Sequence, residues 1–243
     1  MNIINAQNLT TAFGDFIMHD NVSFSVQKGE IYGLLGGSGS GKTTLMKTMI
    51  FLKKPSSGTV EIFGENIWAL KAEKRLEIQL KCGVMFQFGA LFSSMNVIEN
   101  VGILLREYSK FNENEINDLS LFWLEKVGLK ISDAQKMPSE LSGGMKKRVA
   151  MARALALSPE ILFLDEPNSG LDPLSARSLD RLVCELRDTL GVTIVMVTHD
   201  IDSIFEILDR FLIIDNHKII YEGVLAGAKK LKNNPLRELF EMR

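Results

Sequence analysis

The chain has 243 residues, 46% of them hydrophobic and 24% charged, and a formal net charge of −2. This composition is ordinary for a globular protein, and the charge balance argues against nucleic acid as a partner. Cys82 and Cys184 lie far apart in the chain, which argues against a metal or redox pair and favours buried apolar thiols. The N-terminal residues lack the pattern of a secretory signal, and the apolar runs are far shorter than the roughly 20 residues that span a bilayer.

The first part of the chain predicts short strands separated by turns. Residues 21–26 alternate between apolar and polar side chains, and residues 31–35 form a short apolar run. Residues 57–67 repeat the order of turn, strand and turn. These segments are too short and too turn-rich for helices.

Helical periodicity replaces this pattern between residues 88 and 158. Apolar residues there recur three and four positions apart, which predicts helices over 97–108 and 116–129. After Pro159 the apolar runs return, and between two of them lies a helical stretch that Gly191 ends. Alternating strands and helices predict a parallel sheet with crossover helices, here interrupted by a helical insertion.

A glycine-rich loop follows the apolar run at 31–35. It has the P-loop pattern, in which Gly36, four further residues, Gly41, Lys42 and Thr43 follow one another. Glycines let backbone amides turn toward phosphates, the lysine places a charge near the transferred phosphate, and the threonine hydroxyl reaches Mg²⁺. A strand before the loop and a helix after it argue against a loop that merely turns. We therefore predict that nucleotide is bound by Gly36, Gly37, Ser38, Gly39, Ser40, Gly41, Lys42, Thr43 and Thr44.

Two carboxylates follow the apolar run at 161–164. Asp165 has the Walker B position, from which a carboxylate holds Mg²⁺ through water. Glu166 comes one residue later, where it can polarise a water aimed at the terminal phosphate. The alternative for Glu166 is a solvated loop side chain, which the neighbouring P-loop makes the weaker interpretation.

A second glycine-containing segment opens a predicted helix at Ser142, Gly143 and Gly144. The first turn of this helix carries Lys146, Lys147 and Arg148, next to the positive end of the helix dipole. Exposed amides together with cations are the arrangement that receives an anion. The alternative is a solvated basic face.

At this point the sequence resembles the nucleotide-binding subunits of ATP-binding cassette (ABC) transporters over nearly its whole length. "LSGGM" resembles the signature motif of that family, and "MFQF" supplies the Q-loop glutamine, Gln87. "SGLD" resembles the D-loop and ends at Asp172, and "VTHD" carries the switch histidine, His199. "AFGDF" resembles the segment that bears the adenine-stacking aromatic, with Phe13 as the first candidate and Phe16 as the second.

The resemblance implies how these residues act. ATP and Mg²⁺ are the cofactors, with Lys42, Glu166 and His199 as the catalytic residues. The residues implied to bind Mg²⁺ are Thr43, Gln87 and Asp165. Two copies of the chain pack head to tail, so that Ser142, Gly143 and Gly144 of one copy face the γ-phosphate held by the other. Nucleotide contacts are further implied for Phe13, Gln87 and Asp172.

The implied fold is α/β, a RecA-like P-loop NTPase core with an N-terminal antiparallel β subdomain and an inserted α-helical subdomain. The whole chain is then one ABC ATPase domain. Its core covers about 1–87 and 159–222, and its helical subdomain about 88–158. A tail of one or two short helices covers about 223–243.

The segment from Phe86 to Phe92 points to one branch of the family. Together with "LSGGM" it resembles the ATPases of Mla-type lipid transporters, which implies phospholipid or a related lipid as the cargo. Leu91, Phe92 and Met95 are then candidates to line a groove for a coupling helix, with core packing as the alternative. The implied partners are two integral permease subunits, an MCE lipid-binding protein and a small STAS-type protein, at the cytoplasmic face of the inner membrane.

Departures from the family pattern and rival functions complete the prediction. Met145, Gly37 and Asn168 replace residues that are common in relatives. We expect activity to survive at Met145 because Ser142 and the glycine amides would still contact phosphate, and the other two replacements touch no essential role. Rival functions are an ABC ATPase for amino acids or a metal chelate, a cell-division ABC regulator, and a DNA-repair ATPase. The last lacks support because the chain has neither a coiled-coil nor a zinc insertion. His19 and His217 are expected to be solvated.

Overall fold

The computed structural model of the chain describes residues 1–228. The strands, in chain order, are β1 (Asn2–Phe13), β2 (Phe16–Gln27), β3 (Ile31–Gly36), β4 (Ser57–Ile62), β5 (Glu65–Asn66), β6 (Cys82–Met85), β7 (Ile161–Asp165), β8 (Thr193–Val197), β9 (Arg210–Asp215) and β10 (Lys218–Gly223). The helices are α1 (Lys42–Met49), α2 (Ala72–Leu80), α3 (Val97–Tyr108), α4 (Glu113–Lys126), α5 (Gly143–Leu155), α6 (Pro173–Leu190), α7 (Ile201–Glu206) and α8 (Leu225–Ala228).

These strands form two sheets. The smaller sheet is antiparallel, with the strand order β2-β1-β4-β5. The larger sheet has the order β10-β9-β3-β8-β7-β6, and all its pairs are parallel except the edge pair of β9 and β10. The predicted parallel sheet is therefore confirmed. Every residue of β3, β7 and β8 is buried, which is why these strands read as continuous apolar runs.

The larger sheet forms the middle layer of the fold. Because side chains alternate across a strand, Ile161 and Phe163 of β7 pack toward the smaller sheet and α1. Leu162 and Leu164 pack on the opposite face, in a core shared with α3, α4, α5 and α6. The sheet thus has one apolar core on the face toward the smaller sheet, and on the other face the helical core together with a smaller cluster around Leu35, Phe211 and Ile213.

The helices between β6 and β7 begin at identifiable caps. The side chains of Asn96 and Asn112 each accept a hydrogen bond from the backbone amide of the third residue of the following helix. That third residue is a glutamate, and its carboxylate accepts a hydrogen bond from the backbone amide of the asparagine. The helix predicted over 97–108 is confirmed. The one predicted over 116–129 is shifted, because the Asn112 cap starts it at Glu113. Gly191, at φ 66°, ends α6 as predicted.

Other details differ from the sequence-based expectations. Helix α2 was not predicted, since Ile78 is its one buried residue and no apolar stripe results. Both cysteines are half-buried, and burial raises the pKa of the Cys82 thiol to about 12. Of the predicted tail, α8 supplies one short helix, and residues 229–243 lie outside the described range. None of the helices within residues 1–228 has the length and apolar character needed to cross a bilayer.

Candidate nucleotide-binding and hydrolysis site

The P-loop joins the end of β3 to the start of α1. Its two ends require glycine, because a Cβ on Gly36 would lie 2.4 Å from the Ile214 carbonyl oxygen and one on Gly41 would lie 2.5 Å from His19 Nε2. A Cβ on Gly37 or Gly39 would meet nothing within 4 Å. The loop is therefore packed tightly at both ends and open along its middle. Such an open turn of backbone amides before a helix is a phosphate-binding arrangement.

Lys42 lies inside this loop. Its Nζ donates hydrogen bonds to the carbonyl oxygens of Gly36 at 3.0 Å and Gly37 at 2.8 Å. Burial lowers the pKa of Lys42, and the carboxylates of Glu166 and Asp165 oppose this shift. The ammonium group is thus already directed into the space that the loop encloses.

Thr43 and Asp165 meet across the loop and the end of β7. The Thr43 hydroxyl donates to Asp165 Oδ1 at 3.1 Å. Burial raises the pKa of Asp165, while the hydrogen bond from Thr43 lowers it. A hydroxyl and a carboxylate oxygen are hard ligands of the kind that Mg²⁺ takes, and Mg²⁺ typically fills its remaining positions with phosphates and water. This pair fits the predicted metal site.

Glu166 lies between two other predicted site residues. Its Oε2 accepts a hydrogen bond from Gln87 Nε2 at 3.0 Å, and its Oε1 lies 3.2 Å from Nδ1 of His199. The Glu166 backbone is left-handed, with φ 45°, and its amide donates to the Val197 carbonyl at 2.9 Å. The structure therefore brings Gln87, Glu166 and His199 together beside the Thr43–Asp165 pair.

The signature residues form a separate group. Ser142 caps α5, and its hydroxyl accepts a hydrogen bond from the Met145 amide at 3.3 Å. Ser142 and Gly143 are exposed. Asp172 caps α6 by accepting hydrogen bonds from the Leu174 and Ser175 amides. Within the described part of the chain, the signature residues form no hydrogen bond with the P-loop of the same chain.

The cations in the first turn of α5 do not form one exposed group, which differs from the sequence-based expectation. Lys147 is buried, and its Nζ donates to the carbonyl oxygen of Gln87, to that of Glu166 at 3.1 Å and to Ser169 Oγ at 3.2 Å. Arg148 donates to the carbonyl of Val127 and to a serine hydroxyl on α6. Both side chains are thus turned toward neutral acceptors of the same chain.

The two N-terminal aromatic candidates are both about half exposed. The Phe13 ring has Lys53 Nζ 4.1 Å from its centroid, and the same ammonium donates to the Ala12 carbonyl at 2.7 Å. One face of Phe13 is thus backed by a cation. Phe16 contacts the ring of His217 edge-on, with 5.6 Å between centroids.

The two remaining histidines differ. His217 is exposed, as predicted. The prediction that His19 is solvated is wrong, because this residue is fully buried in β2. Its Nδ1 lies 2.7 Å from the Thr11 hydroxyl, and its Nε2 side packs against Gly41 of the P-loop. The pairing of β1 with β2 shifts register between Leu9–Val22 and Thr11–His19, which breaks the alternation of β2 and places His19 inward, against the loop.

The segment predicted to receive a coupling helix is mixed in character. Phe92 is half exposed, and the guanidinium of Arg153 lies 5.7 Å from its ring centroid. Leu91 packs against the helical core, in agreement with the alternative of core packing for that residue. Met95 is half-buried, and Asn100 holds its carbonyl oxygen with a hydrogen bond of 2.9 Å.

Comparisons with known proteins agree with this geometry. The sequence profile of the ABC transporter family matches residues 19–169. The chain is 40% identical to the intermembrane phospholipid transport system ATP-binding protein MlaF of Haemophilus influenzae, over 97% of this chain and 88% of that protein. Identity to the intermembrane phospholipid transport system ATP-binding protein MlaF of Escherichia coli K12 is 38%, over 96% of this chain and 86% of that protein.

Solved structures are similar as well. A dimeric post-hydrolysis structure of the ATP-binding cassette MJ0796 with ADP and Pi has a TM-score of 0.83 and 31% identity, covering 91% of this chain and 98% of that one. CbiO1 of Clostridium perfringens, part of the ABC transporter complex cbiONQ, has a TM-score of 0.84 and 29% identity. The match covers 99% of this chain and 92% of that one. The predicted α/β fold is confirmed, and the chain belongs to the ABC transporter family as an ATP-binding subunit that hydrolyses ATP.

Proposed function

We propose that this subunit drives phospholipid transport in the cell envelope, by hydrolysing ATP in a site shared between two copies of the chain. The observation that carries the proposal is the position of Glu166, held between Gln87 and His199 next to the P-loop. A carboxylate fixed in this way can orient water for attack on a terminal phosphate. The phospholipid cargo is supported by the similarity to two MlaF proteins over nearly the whole chain.

Each residue of the site then has a defined task. The P-loop amides and Lys42 bind the β- and γ-phosphates, and the exposed face of Phe13 stacks on adenine. Thr43 and Asp165 hold Mg²⁺ with Gln87 nearby, and the ion supplies charge neutralisation at the phosphates. Glu166 aligns the attacking water and accepts its proton, while His199 keeps the Glu166 carboxylate directed at the reacting phosphate.

The signature residues act on the partner copy in this proposal. Ser142 and Gly143 are exposed at the start of α5, and in their own chain they form no hydrogen bond with the P-loop across the described residues. A helix N-terminus with free amides favours a phosphate. The dimeric forms of MJ0796 support the assembly of two copies. Asp172, next to this surface, belongs to the same interface.

Domain organisation and location complete the proposal. We assign the core to 1–87 and 159–222, the helical subdomain to 88–158 and the tail to 223–243. The subunit lies on the cytoplasmic face of the inner membrane, bound to two permease subunits through the surface around Phe92. An MCE lipid-binding protein and a STAS-type protein are the further partners.

A mixing experiment tests the shared site. Ser142→Arg and Glu166→Gln are each expected to bind ATP and to hydrolyse it at a small fraction of the wild-type rate. A mixed dimer of the two variants contains one site with both an intact Glu166 and an intact Ser142. Mixing should therefore restore hydrolysis, and a mixture as inactive as its components would count against the shared site.

The cargo is tested separately. The chain is purified from the membrane with the subunits that accompany it, and the bound small molecules are identified by mass spectrometry. Phospholipid is the expected result. An amino acid or a metal chelate in its place would favour the rival cargo and leave the ATPase assignment intact.

A further inference from the structure

The segment from Gln87 to Phe92, called the Q-loop segment here, is fastened to α5 by two buried cations. Lys147 Nζ donates to the Gln87 carbonyl oxygen. Arg153 donates from Nη2 to the Gly89 carbonyl oxygen and from Nη1 to that of Ala90, both at 2.8 Å. Lys147 is 6% exposed and Arg153 is 9% exposed.

These cations supply hydrogen-bond donors to backbone carbonyl oxygens of the Q-loop segment that lack a partner within a sheet or helix. Gly89 and Ala90 follow one another in the left-handed region, at φ 75° and 48°. Their carbonyl oxygens therefore leave the sheet direction of β6 and need other donors. A segment with these dihedral angles keeps its shape only when surrounding groups hold it.

Lys147 also holds the residue that we assign to water activation. Its ammonium donates to the Glu166 carbonyl oxygen at 3.1 Å and to Ser169 Oγ at 3.2 Å. With the Gln87 carbonyl, these acceptors match the three protons of an ammonium group. No ion pair to Lys147 is found among residues 1–228, so neutral groups accept its hydrogen bonds, while the charges of Glu166 and Asp165 favour its protonated form.

The Glu166 backbone is consequently held from both sides. Its amide donates to the Val197 carbonyl, and its carbonyl accepts from Lys147. Lys147 itself belongs to α5, whose cap Ser142 and first residue Gly143 face the partner's nucleotide in the proposed dimer. One side chain thus joins the Q-loop segment, the water-activating residue and the signature helix.

We propose that Lys147, assisted by Arg153, is a positioning residue that ties a subunit's own hydrolysis site to the signature turn it offers to its partner. The inference rests on the proposed function of the shared site. When the Q-loop segment shifts, α5 moves with it, so Glu166 and Ser142 change position together. Lys147 touches no phosphate in this scheme; it acts through the backbone of Gln87 and Glu166.

The test compares Lys147→Met, which keeps an unbranched side chain of similar bulk and removes its donors, with Lys147→Gln, which supplies a neutral amide donor in place of the ammonium. Arg106→Met is the matched control, because Arg106 is a half-buried cation of the same helical region that pairs with Glu113. Three quantities are measured on the full chain: the Kd for ATP without Mg²⁺, the kcat of hydrolysis, and hydrogen exchange of residues 87–92 and 166–170.

For Lys147→Met we expect a Kd within about twofold of wild type and a kcat lower by about 10–100-fold, the scale of a misplaced reacting group. Exchange should rise in both measured segments. Lys147→Gln should show smaller changes of the same kind, and it decides the matter if the Met variant does not fold. Arg106→Met should keep the wild-type kcat and exchange at 87–92.

Two results would overturn the inference. One is wild-type kcat and exchange in a folded Lys147→Met. The other is the same loss in Arg106→Met, which would show a general effect of removing a cation. A wild-type chain that fails to hydrolyse ATP would refute the proposed function instead, and the exchange of 87–92 and 166–170 would still decide whether Lys147 joins these segments.

Discussion

Replacing His19 with leucine should make the stability of the protein less dependent on pH. His19 is fully buried in β2, and burial lowers its pKa from 6.5 to about 4. The Gly41 backbone opposes this shift, and the charge of His217 adds to it. In the unfolded chain the imidazole takes up a proton near pH 6.5, whereas the folded protein resists protonation until about pH 4.

The size of the effect follows from this difference. Below pH 6.5 the unfolded chain binds more protons than the folded one, so wild-type stability falls as the pH falls. Titration of His19 lowers the free energy of unfolding by about 2 kcal/mol between pH 8 and pH 5. It reaches roughly 3 kcal/mol in total well below pH 4. Leucine cannot titrate, so the His19→Leu variant does not undergo this loss of stability.

Urea unfolding of wild type and His19→Leu at pH 5, 6, 7 and 8 measures the difference. Carboxylates contribute equally to both proteins, so the gap between the two free energies isolates His19. Thr11→Val is the control, because it removes the hydroxyl near Nδ1 and keeps the buried imidazole, and with it the wild-type slope. A gap that stays constant within about 0.5 kcal/mol from pH 8 to pH 5 would refute the reasoning.

Three further substitutions have defined outcomes. Glu166→Gln should lower the hydrolysis rate about 10²–10⁴-fold with ATP binding retained, since an amide cannot accept the proton of water; wild-type turnover would remove Glu166 from this role. Asn168→Ala should cost about 1–3 kcal/mol in urea unfolding, because it removes the 2.8 Å hydrogen bond to the buried Asp180, and a neutral result would contradict the account. Gly58→Ala should lower the Tm, since its Cβ would lie 2.3 Å from the Asn8 carbonyl oxygen at φ 82°; an unchanged Tm would show that the turn adapts.

The parts of the fold that the sequence predicts are segments whose own composition shows whether they are buried. Strands β3, β7 and β8 are buried on both faces, so their apolar runs identify them directly. The carboxyl ends of parallel strands meet at one edge of the sheet. For this reason the sequence could already place Thr43 near Asp165, which the structure separates by 3.1 Å.

The parts that failed depend on contacts distant in sequence. His19 is out of phase with the alternating residues 21–26, and what packs against it is Gly41 of the P-loop, more than 20 positions later. Lys146, Lys147 and Arg148 are three adjacent cations that no periodicity distinguishes. Their separation into inward and outward groups arises because the Gln87 and Glu166 carbonyls lie beside one face of α5.

The order of strands in the larger sheet also has a consequence for how the chain is made. β3, which carries the P-loop, pairs with β8 and β9, and both of these come from residues beyond 192. A ribosome therefore produces the loop first and supplies the strands on either side of it only after α6 has been made. Nascent chains arrested before residue 193 should be cut by protease near the P-loop, and those released beyond Gly223 should resist. The P-loop strand of newly made protein therefore has both of its neighbouring strands only after Asp215 has been added.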